Sequence, residues 1–112
     1  MKFAIPTAEG KLATHFGHCR NFAMLSVNAG ADPVVQRTDI EPPPHQPGLL
    51  PVWLKEQEVT HVIAGGLGGK AKEMLEERGI HVLIGAPSLE PEELVKLYLD
   101  NRLELSGNAC DH

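Results

Sequence analysis

Short apolar runs alternate with polar, proline-marked or glycine-marked breaks along the whole chain. KFAIP (2–6) is apolar up to Pro6 and reads as a strand, and NFAMLSV (21–27) reads as a second. NAGAD (28–32) has the composition of a turn. PVVQRTDI (33–40) alternates weakly, which predicts a third strand closing a meander with the second. EPPPHQPGLLP (41–51) carries five of the nine prolines and reads as an extended connection. VWLKEQE then predicts a short helix starting near Gly48. HVIAGG (61–66) is a β-rich apolar run expected to be a buried central strand. In LGGKAKEMLEERG (67–79), Leu67, Ala71, Met74 and Leu75 fall at helical spacing and Gly79 is the stop. IHVLIG (80–85) is expected to be another buried strand. SLEPEELVKLYLDNR predicts a helix with acids in its first turn, where the dipole favours them. LELSGNACDH (103–112) is expected to be a tail, mobile at its end.

The order βββαβαβα predicts an α/β fold, a mixed sheet with helices on its faces, and a parallel, right-handed final strand–helix–strand unit. The 112 residues read as one domain, 1–112, with no repeats. Apolar residues make up 42%, and no run approaches the ~18 needed to span a membrane. The N-terminus lacks the long apolar segment of a signal peptide, so the protein is expected in the cytoplasm and its two cysteines are expected as thiols rather than a disulfide. A net charge of −5, with the four Arg and six Lys scattered, excludes the basic stripe that a nucleic-acid partner requires.

Chemistry-bearing residues concentrate in HFGHC, where His15, His18 and Cys19 lie within five residues around Gly17 and beside Arg20. Imidazole and thiolate together suit copper, zinc or iron–sulfur chemistry. The alternative is a loop with two surface histidines and Cys19 packed as a small apolar residue. Cys110-Asp111-His112 could chelate one ion, or be a chance tripeptide; joined to HFGHC, Cys110 and His112 would complete a tetrahedral count. GGLGGK (65–70) follows a strand and opens a helix. It lacks the first glycine and the Ser/Thr of a phosphate-binding P-loop, and its match to the dinucleotide pattern is in the wrong strand–helix unit. Free N–H groups across Gly66, Leu67, Gly68 and Gly69, beside Lys70, would form an anion cradle; glycines for close packing are the alternative. Lys11 is a further cation near HFGHC. His45 is expected to be exposed, His61 and His81 structural, and Asp39 and Glu41 too isolated for paired-carboxylate chemistry.

KFAIPT, THFGHCRNFAML and VTHVIAGGLGGKAKEMLEERGIHVLIG together resemble the dinitrogenase iron–molybdenum cofactor biosynthesis family of small carrier proteins, over nearly the whole chain. The resemblance implies a ribonuclease H-like three-layer fold, with a five-stranded mixed sheet whose first three strands are antiparallel. It implies non-covalent binding of an anionic metal–sulfur cluster, of Fe-Mo type or, as in members with a similar closing GNACDH, a mixed molybdenum–copper sulfide cluster. The family's HFG histidine maps to His15. Ribonuclease H enzymes need clustered carboxylates beginning on the first strand, and here that strand has none, so a nuclease is not expected. The function expected is a non-enzymatic carrier or scaffold for such a cluster, with protein partners in its delivery. The alternative is a simple copper or zinc binding or chaperone protein using HFGHC and CDH.

Overall fold

The structure is a computed structural model and describes residues 1–8, 11–12, 21–27, 35–43 and 48–105. In chain order its elements are β1 (Lys2–Ala8), β2 (Lys11–Leu12), β3 (Asn21–Val27), β4 (Val35–Ile40), α1 (Leu49–Glu56), β5 (His61–Ala64), α2 (Gly69–Glu77), β6 (His81–Ile84) and α3 (Pro91–Leu99). Five strands form a mixed sheet in the order β4-β3-β1-β5-β6, and the two-residue β2 pairs with β1 off that path. β1, β3 and β4 pair antiparallel, while β5 pairs parallel with β1 and β6 parallel with β5. The meander and the parallel β5–α2–β6 unit are thus as the sequence predicts.

Alternation within the strands divides the core into two layers. Ala4, Phe22, Met24, Val62 and Ala64 face Leu54 of α1 and Leu75 of α2. Their strand neighbours Phe3, Ile5, Ala23, Leu25 and Ile63 face Leu94 and Val95 of α3. Phe3 and Phe22, both fully buried, each contribute roughly 1.5–3 kcal/mol of hydrophobic stabilisation.

Some boundaries differ from the sequence expectation. β1 runs through Pro6 to Ala8. Its register with β5 covers Phe3 and Ala4, and that with β2 begins at Thr7. Pro6 lies in the gap, where one side of the strand has no partner and a missing N–H is tolerated. β2 itself carries no sequence signal. α2 starts at Gly69 rather than Leu67, because Gly68 is extended (φ −65°, ψ 147°). It stops as expected: Gly79 takes φ +77°, and Ile80 donates its N–H to the Leu75 carbonyl at 3.1 Å. α3 starts at Pro91, whose fixed φ suits a first helical position. β6 is not a buried strand but the sheet's edge: His81 is exposed and Val82–Ile84 are half-buried. At the start of the expected tail, Leu103 packs against the α3-side core.

Candidate functional site

The connectivity gathers three informative segments at one edge of the sheet. Leu12 and Asn21, the described residues flanking the HFGHC stretch, both pair with Thr7 near the end of β1. The Thr7 hydroxyl donates to the Asn21 carbonyl at 3.1 Å, and the Ser88 hydroxyl donates to the Leu12 carbonyl at 3.2 Å. Ile40 pairs with Phe22, so β4 ends at this edge and the proline-rich connection leaves from it. β5, parallel to β1, ends here too and passes into Gly65–Lys70. Carboxyl ends of parallel strands are where open α/β sheets place ligands.

Between the beginnings of α1 and α2 lies a cleft of about 390 Å³ lined by Gly48, Pro51, Lys70, Ala71 and Met74. Gly48 makes the close approach possible. Its φ is +79°, and a Cβ there would come within 3.2 Å of Met74 Cε. Both helices start from glycines, Gly48 and Gly68, with no side-chain cap and no acid in the first turn. α3, on the other face, carries Glu92 and Glu93 in its first turn. The first N–H groups of a helix have no acceptor within it and carry partial positive charge. The starts of α1 and α2 therefore add to the field of Lys70 at the cleft, and among the described residues no carboxylate lines it.

The structure divides the predicted site residues. Gly68, Gly69 and Lys70 are exposed at the start of α2, whereas Gly66 and Leu67 are buried and Leu67 belongs to the core. Lys11 lies in β2 opposite Ala8. His15, His18, Cys19, Arg20, His45, Cys110 and His112 lie outside the described residues. Among the described residues no group of three His, Cys, Asp or Glu could hold a metal ion. Asp39 is engaged by Arg37, which also reaches Glu92 and ties β4 to α3. The sequence reading gave Ala71 and Met74 only helical spacing and missed that they wall the cleft. The signal was present, since Lys70 and Met74 are four apart and share a helix face.

The opposite end of the parallel strands carries the buried histidine. His61 is 7% exposed. Its ring stacks between Phe3 at 4.8 Å and His81 at 4.9 Å, with Tyr98 edge-on at 5.5 Å. Its Nδ1 is 2.7 Å from the Thr60 hydroxyl. Burial, then the neighbouring His81 and the N-terminal ammonium, lower its pKa from the ordinary 6.5. The expectation of structural roles holds for His61, while His81 is at the surface.

Comparison with known proteins points in one direction. The family described as dinitrogenase iron-molybdenum cofactor matches residues 1–101. An uncharacterised protein of Methanocaldococcus jannaschii, MJ0580, is 26% identical over 93% of this chain and 90% of its own length. The crystal structure of PH0822 superimposes with a TM-score of 0.84 at 26% identity, covering 95% of each chain. The apo form of the orange protein from Desulfovibrio gigas superimposes with a TM-score of 0.70 at 19% identity, over 96% of this chain and 93% of that one, a likeness of fold.

Proposed function

Because this chain belongs to the dinitrogenase iron-molybdenum cofactor family, we propose that it is a non-enzymatic carrier that binds an anionic metal–sulfur cluster of Mo-Cu or Fe-Mo type without a covalent bond and passes it to a protein partner in the cytoplasm. The observation that carries the reading is the cleft at the carboxyl ends of the parallel strands, which offers Lys70 and two helix starts without side-chain caps and has no acid among its described lining residues. Such a site complements negative charge in a protein whose net charge is −5. His15, His18 and Cys19, in the stretch between Leu12 and Asn21, which both pair with β1 at this end of the sheet, supply ligands or hydrogen bonds to sulfide in this reading. A preformed cluster brings its own sulfurs, so the protein has only to match its charge and shape.

The test is assembly under anaerobic conditions from tetrathiomolybdate and Cu⁺. The expected result is a visible charge-transfer band that co-elutes with the protein together with molybdenum, copper and sulfide. A colourless protein that takes up one zinc or copper ion and no molybdenum would favour the simple metal-ion protein instead.

A further inference from the structure

Resting on the carrier reading, we propose that the cleft between α1 and α2 seats the cargo and selects it by softness: it takes a sulfide-coordinated metal anion in preference to an oxyanion of the same shape and charge, with Met74 as the specificity-determining side chain. Its volume of about 390 Å³ lies within the range of small-ligand sites, roughly 300–1,000 Å³.

The walls separate two contributions. Lys70 supplies charge, and an ammonium at this range attracts oxide-faced and sulfide-faced dianions alike. Among the described residues, the other side chains of the lining are Pro51, Ala71 and Met74, none of which donates a hydrogen bond. An oxyanion placed against them loses tightly held water and gains no donor from these side chains in exchange. A thioanion spreads the same charge over larger, more polarisable atoms that hold water less tightly, so it loses less. It also gains dispersion contact with the Met74 thioether, a polarisable group that is itself a soft ligand suited to Cu⁺. Met74 is held in place for this role. It lies one turn after Lys70 on the same helix face, and Gly48 allows α1 to close onto its methyl end.

Equilibrium dialysis of the full chain against tetrathiomolybdate and against molybdate, with molybdenum quantified without air, tests the assignment. The wild type should favour the thioanion by about tenfold or more. Met74→Gln should loosen tetrathiomolybdate by about tenfold while leaving molybdate unchanged or tighter. Lys70→Gln, at an exposed position, should weaken both anions equally and keep their ratio. Ala71→Ser, which adds a donor to the wall with a change of one atom, should shift the preference toward molybdate and serves if Met74→Gln fails to fold. Equal wild-type affinity for the two anions overturns the proposal. So does an undiminished preference in Met74→Gln and Ala71→Ser alike; tight tetrathiomolybdate binding in that case leaves the carrier reading standing with the cargo seated elsewhere. A wild type that binds no tetrathiomolybdate overturns both.

Discussion

His61 heads β5 in a row of rings, Phe3–His61–His81, that crosses three parallel strands with Tyr98 of α3 against it. The groups that face it are the His81 imidazole, the Tyr98 phenol, the Thr60 hydroxyl and, at longer range, the N-terminal ammonium. None of them carries a negative charge to balance an imidazolium, and burial opposes one. The folded-state pKa is therefore below 6.5, so the unfolded chain binds the proton more readily. The stability that His61 contributes is complete above pH 6.5 and declines as pH falls through 6.5 toward the depressed value. Denaturant midpoints measured from about pH 7.5 to about pH 5 should fall for the wild type. His61→Asn keeps a polar atom near Thr60 but does not titrate; it should show a shallower decline whatever its absolute stability. Parallel declines for the two proteins would assign the pH dependence to other groups.

At the scale of the element, α2 combines a requirement of folding with one of binding, and the two have opposite signs at Gly68. This residue is extended at φ −65° and ψ 147°, which any L-residue adopts, and a Cβ there meets nothing within 4 Å. Packing therefore does not demand glycine at this position. An acidic cap would satisfy first-turn N–H groups and stabilise the helix by about 1 kcal/mol. Gly68→Asp should accordingly raise the unfolding midpoint, yet weaken tetrathiomolybdate binding by about tenfold by putting like charge where the cargo sits. Gly68→Ser caps without charge and should raise stability with little change in binding. An Asp variant that binds as well as the wild type would mean that the start of α2 lies away from the cargo.

For the whole molecule, the question is whether the protein must supply all the ligands of its metal. A bare zinc ion needs about four from the chain, and Cu⁺ about two or three. HFGHC offers His15, His18 and Cys19, so a simple-ion protein needs Cys110 and His112 to close the shell. The described core ends at Leu103, which packs on the α3 side, and residues 109–112 lie outside the described residues. Removing residues 109–112 should leave the unfolding free energy within about 0.5 kcal/mol of the full chain and leave assembly of the coloured cluster largely intact. Loss of all cluster binding from a folded truncated protein would make Cys110 and His112 primary ligands and displace the cleft as the main determinant.

The sequence by itself determined what depends on neighbours along the chain. The apolar run of NFAMLSV set β3 at residues 21–27, and the helical spacing of Ala71, Met74 and Leu75, with Gly79 after it, set the face and the end of α2. The antiparallel meander and the parallel β5–α2–β6 unit followed from run lengths and connection lengths. Local pattern does not report which strand lies at an edge, so the apolar run 80–85 read as buried although β6 is flanked on one side only. Nor does it report long-range pairing: Pro6 marked a strand end in the sequence, but tertiary structure gave β1 an unpaired gap there and let it continue. The cleft is the clearest case. Gly48 and Pro51 are separated by about twenty residues from Lys70 and Met74, and only packing α1 beside α2 on one face of the sheet makes them the walls of a single space.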